Sequence, residues 1–126
     1  MPEYFIALVK QFGNLTSSEE AERVAKDISS CLYMTLTDDQ NKLFLAYTPQ
    51  YLHIKPNIFR ETIKRTKREY RHRAFLDRLS MLEGLTDENE VNNRVKAYFE
   101  AVAVVTGERQ YQNLLSILPK NILAIL

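Results

Sequence analysis

The sequence predicts an all-α protein: a compact bundle of two tandem three-helix repeats, related by an approximate two-fold axis and joined by a basic helical connector. Three observations carry this expectation. Apolar residues recur at helical spacing over most of the chain. Only three Gly and four Pro are present among 126 residues, too few turn-makers for a many-stranded β fold. A shift of 70 positions lays Gln40, Phe44, Leu45, Pro49 and Leu52 onto Gln110, Leu114, Leu115, Pro119 and Ile122 without a gap. A three-helix unit cannot bury its apolar face alone, which gives duplication a physical motive.

The first repeat spans about 3–54. Phe5, Ile6, Val9 and Phe12 form the stripe of a first helix, with Gly13 as its expected left-handed terminator. Thr16-Ser17-Ser18-Glu19 reads as a capping box, Thr16 and Glu19 serving the orphan amides of a second helix. Ala21, Val24, Ala25, Ile28 and Leu32 continue that helix inward. Thr37-Asp38-Asp39-Gln40 is a second capping box, and its two carboxylates fall where the helix dipole favours negative charge. Leu43, Phe44 and Tyr47 are expected to face the core. Thr48 must be extended because Pro49 follows it, and Pro49 opens a short turn through Leu52.

The second repeat spans about 73–124 and follows the same plan. Phe75, Leu76, Leu79 and Leu82 give its first helix, which ends near Gly84, one position out of step with Gly13. Val91, Val95, Tyr98, Val102 and Val105 give its second, and Tyr111, Leu114, Leu115 and Leu118 its third, ahead of Pro119. Between the repeats, a connector of about 55–72 carries Phe59, Ile63, Thr66 and Tyr70 as one apolar stripe. That stripe lies opposite the one beginning at Phe75, so the connector either bends or is buried on two sides.

The layout is similar to a family of small bacterial and archaeal helical proteins with no assigned activity, in which two tandem repeats each end in a Leu-Pro-x-x-Leu-like turn. Leu118-Pro119-Lys120-Asn121-Ile122 and the aromatic Phe75 carry the likeness, while Thr48 replaces the Leu in the first repeat. The resemblance implies the fold and no chemistry.

Function is only weakly written in this chain. No glycine-rich phosphate loop, Gly-x-Ser-x-Gly or His-Glu-x-x-His occurs. His53 and His72 lack metal-ligand spacing, and Asp38-Asp39 is explained by capping. No cofactor is implied. Cys31 cannot form an internal disulfide and reads as a small packing residue. No apolar stretch approaches the ~20 residues of a membrane span, and the N-terminus lacks the basic cluster of a signal peptide. A cytoplasmic location is the expectation. Tyr47, Tyr70, Tyr98 and Tyr111 fall on apolar stripes, while Tyr4, Tyr33 and Tyr51 are less constrained.

Two features remain as candidate sites. From Arg60 to Arg73, seven basic residues stand against Glu61 and Glu69, a net +5, whereas the remaining ten basic and fourteen acidic residues give −4 and restore the chain total of +1. Arg60, Lys64, Lys67, Arg68 and Arg71 would line one face of a helix and offer an anion-binding or partner-binding stripe. The plainer alternative is a solvated helix with Glu61 and Arg65 as an i, i+4 pair. The second feature is the apolar end of the chain, Ile122, Leu123, Ile125 and Leu126, which either closes the core or joins a second subunit or partner. The first expectation is therefore a non-catalytic protein-interaction module, whose partner is an unknown protein or a second copy forming a homodimer. The alternative is a nucleic-acid-associated protein using the basic stripe. An enzyme or small-ligand carrier with its pocket between the repeats ranks third.

Overall fold

A computed structural model describes residues 2–52 and 75–126 of the chain. Local sequence sets the helices among them: α1 (Glu3–Gly13), α2 (Ser18–Thr35), α3 (Asp38–Tyr47), a 3-10 turn (Gln50–Leu52), α4 (Phe75–Glu83), α5 (Glu88–Thr106), α6 (Glu108–Ile117) and α7 (Lys120–Leu123). No strand occurs among the described residues. The connector of 55–72 and its stripe of Arg60, Lys64, Lys67, Arg68 and Arg71 lie outside them.

Helix starts follow the capping logic, with one correction. At α3 the box is reciprocal: the Gln40 amide donates to the Thr37 hydroxyl at 3.2 Å, and the Thr37 amide donates to Gln40 Oε1 at 2.9 Å. At α2 the frame sits one residue later than Thr16–Glu19. Ser17 is the cap, accepting from the Glu20 amide at 3.1 Å. Glu20 reaches back to the Thr16 amide and hydroxyl at 3.1 and 2.6 Å. With the helix starting at Ser18, one Glu20 carboxylate serves both Thr16 donors.

Helix ends required a second correction. Gly13 does not take the left-handed conformation; Asn14 does, at φ 51° and ψ 45°. The Asn14 amide donates to the Gln11 carbonyl and the Leu15 amide to the Lys10 carbonyl, the pair of bonds that defines a Schellman turn. The same pair closes α4: Gly84, at φ 65°, donates to Met81 and Leu85 donates to Ser80. Asn14 and Gly84 are 70 positions apart, so the one-residue slip expected between Gly13 and Gly84 disappears. Gly13 instead sits where space is short: a Cβ there would lie 3.2 Å from Leu15 Cγ and 3.3 Å from Ala97 Cβ on α5.

The core is made where α1 packs on α5 and α2, α4 packs on α2 and α5, and α3 packs on α6. Phe5, Val9, Ile28, Leu79, Tyr98 and Leu114 are among its fully buried side chains. Each such residue is worth roughly 1.5–3 kcal/mol of transfer free energy. The Phe5 ring meets Tyr98 edge-on at 5.7 Å, and Tyr98 meets Phe99 at 5.4 Å. Cys31 is buried as expected.

Three expected core residues are not in the core. Phe12 and Leu82 are 38% and 56% exposed, because each lies on the last turn of its helix, beyond Val9 and Leu79, where the chain breaks away into the Schellman turn. Leu43 is 39% exposed. Only Phe44 is buried in the short α3, and Leu43 points about 100° away from it around the helix.

Candidate functional sites

The α2 helix presents Glu20, Arg23 and Asp27 at i, i+3 and i+7, a spacing that keeps three charges on one face. Into that face comes the end of α4, whose last residue, Glu83, has a side chain with no solvent exposure. The α5 helix contributes Arg94, 15% exposed at its side chain. One guanidinium nitrogen of Arg94 donates to Glu83 Oε1, and the other lies 3.4 Å from Glu20 Oε1. Arg23 Nε stands 3.7 Å from the second Glu83 oxygen. Three helices therefore meet at one charged cluster.

Each carboxyl group in the cluster responds to its neighbours. The Thr16 hydroxyl and amide hold Glu20 below its ordinary pKa, with Arg94 and Arg23 adding to them. Asp27 moves the other way: burial, then a hydrogen bond to Glu83 and the Glu83 charge, push it up to about 7 against the pull of Arg23. Breaking such a cluster by removing one partner is costlier than its net contribution, because the remaining buried charge is stranded. Sequence reading missed these residues, since charges on a helix look like solvated surface. The signal was the i, i+3, i+7 set on a helix whose apolar stripe already packs on two neighbours.

A separate cleft opens between α5, α6 and the chain end, with a volume near 370 Å³, lined by Lys96, Phe99, Glu100, Tyr111 and Leu126. Its floor is aromatic and its rim carries an i, i+4 pair of opposite charges. Burial, then the charge of Glu100, raise the Tyr111 hydroxyl above its ordinary pKa. The apolar chain end divides at this cleft. Ile122 and Ile125 are buried, closing the core, whereas Leu123 and Leu126 each remain 38% exposed. A second cleft, near 420 Å³, runs between α1 and the start of α2 and is lined by Glu3, Ile6, Ala7, Ser18, Glu19 and Glu22.

Of the tyrosines, Tyr98 is fully buried, Tyr47 and Tyr111 are half-buried, and Tyr4 is 63% exposed. Asp38 and Asp39 occupy the first turn of α3. His53 and His72 lie outside the described residues. Among the described residues no three His, Cys, Asp or Glu side chains are grouped as metal ligands. No described helix is long and apolar enough to cross a membrane. No family model, curated protein or solved structure matches the chain.

Proposed function

We propose that the chain is a non-catalytic helical protein-interaction module of the cytoplasm, built by duplication of a three-helix unit and presenting a surface on its second half, between α5, α6 and the chain end. The observation that carries this reading is the split chain end. Ile122 and Ile125 anchor it in the core, while Leu123 and Leu126 stay outside, and Leu126 lines an aromatic-floored cleft. A partner side chain entering that cleft would bury apolar surface against Phe99 and Tyr111, between charges that orient it.

The duplication is supported by helix bounds that repeat at an offset of 70. The α3 helix (Asp38–Tyr47) maps onto α6 (Glu108–Ile117), and α2 (Ser18–Thr35) onto all but the last residue of α5 (Glu88–Thr106). Packing also exchanges between halves, α1 lying on α5 and α4 on α2. An approximate two-fold axis would produce this exchange, with α3 and α6 meeting across it.

One observation favours a second reading, nucleic-acid association: the net +5 confined to Arg60–Arg73, against −4 for the rest of the chain. Salt separates the two, since phosphate binding falls log-linearly with ionic strength and apolar association does not. The test is affinity purification of the N-terminally tagged chain at low and high salt, with and without nuclease, beside the Leu123→Glu/Leu126→Glu variant. The interaction module predicts a specific protein that survives salt and nuclease and is lost in the variant. Recovery of nucleic acid, or retention unchanged in the variant, would replace it.

A further inference from the structure

Positions related by the offset of 70 differ sharply around the cleft on α5 and α6. Phe99 and Tyr111, which form its floor, correspond to Ser29 and Asn41. Those two polar side chains are spent inside the fold: Ser29 Oγ meets the Tyr98 hydroxyl at 2.8 Å, and Asn41 Nδ2 donates to the Tyr33 and Leu36 carbonyls at 3.0 and 3.3 Å. The cavity they line is near 20 Å³, room for a single water molecule. The second half instead opens an apolar floor in a cleft near 370 Å³.

The rim differs in the same way. Lys26 is answered within its own helix by Glu22, 3.2 Å away. Lys96, the residue 70 positions on, has Asn92 in the place of Glu22 and an acid, Glu100, on the following turn. A lysine ahead of its glutamate is the weaker order for an i, i+4 pair. Among the described residues neither Lys96 nor Glu100 enters an ion pair, and both are exposed. Two opposite charges therefore stand one turn apart on the outer face of α5, beside an open apolar cleft.

We propose that this cleft is the contact surface of a two-fold dimer, in which α5 runs antiparallel to α5 of a second copy, with Lys96 facing the partner's Glu100 and Glu100 facing the partner's Lys96. The proposal rests on the reading of the cleft as an interaction surface and names its occupant. A two-fold contact must be complementary to itself. Opposite charges one turn apart on a helix meet that condition when the helices are antiparallel, because turning the helix end for end exchanges the two charges. The axis then passes between positions 96 and 100, and side chains beside it come against the same region of the other copy. Leu126, exposed and lining the cleft, is thereby set against the partner's cleft. Val104, 48% exposed one turn beyond Glu100, extends the contact along α5.

The experiment is sedimentation of the full chain over a concentration series, for the wild type, for Lys96→Glu, for Glu100→Lys and for an equimolar mixture of the two variants. The wild type should pass from monomer to dimer as concentration rises. Either substitution alone sets like charges face to face at both crossings and should weaken the dimer about tenfold or more. The mixture should recover the wild-type association, because an acid again stands across from a base at each crossing, and a variant that had failed to fold could not recover. A wild type that is monomeric throughout, a dimer indifferent to both substitutions, or a mixture no tighter than either variant alone overturns the proposal. A monomeric wild type that still retains a foreign protein lost in Leu123→Glu/Leu126→Glu overturns the second copy as occupant and leaves the interaction-module reading intact. A monomer without such retention overturns both.

Discussion

Tyr98 carries a hydroxyl to a place with no solvent exposure, among Phe5 and Phe99. Its partner there is Ser29 Oγ, 2.8 Å away and itself buried. Burial pushes the phenol up to about 12, against the pull of the Ser29 bond. Tyr98→Phe strands the Ser29 hydroxyl and should cost about 1–2 kcal/mol in thermal or denaturant melting. No loss would mean that Ser29 finds another acceptor. The tyrosine was legible as core from its stripe with Val95 and Val102. Its partner was not, because a serine within an apolar face gives no sign of which neighbour, 69 residues away, will meet it.

The α3 helix is too short to hold itself together by propensity, and is fastened at both ends by side chains. Thr37 and Gln40 close its start, and the Thr48 hydroxyl donates to the Phe44 carbonyl at its end, at 2.6 Å. Gln40 does more than cap: its Nε2 donates to the Ile117 carbonyl at 3.1 Å, tying the start of α3 to the end of α6. Thr37→Ala should therefore cost about 1 kcal/mol, the usual value of an N-cap. Gln40→Ala should cost more, on the order of 2 kcal/mol, because the tie to Ile117 goes with the cap. Denaturant melts of the two variants check the order, and an equal or smaller loss for Gln40→Ala would leave the tie with no weight. The capping pattern itself was readable, since it needs only residues three apart. At α2 the same pattern was read one residue early, as Thr16, Ser17 and Ser18 are all chemically able to cap and only the path of the backbone chose Ser17.

At the scale of the whole molecule, the two halves hold each other: α1 lies on α5, α4 on α2 and α3 on α6. The chain end is part of that arrangement through Ile122 and Ile125. Truncation after Asn121 removes both, and at roughly 1.5–3 kcal/mol for each buried side chain should cost about 3–6 kcal/mol. Melting and sedimentation of the truncated chain check this. A chain that keeps its stability and oligomeric state would show that the tail serves neither core nor partner.

The sequence by itself determined the helical class, the apolar stripes of the helices, the capping box at Thr37, the extended Thr48 before Pro49 and the offset of 70. All of these depend on interactions reaching four residues or fewer, or on comparing the chain with itself. Only the tertiary structure decided that Asn14 rather than Gly13 turns left-handed at the end of α1, that Leu43 and Leu82 stay outside, and that the chain end splits between core and surface. It alone brought Asp27, Glu83, Arg23 and Arg94 together. Each of these depends on which helix face meets which across tens of residues, and a charged or apolar side chain looks the same in a linear sequence whether its neighbour in space is water or another side chain.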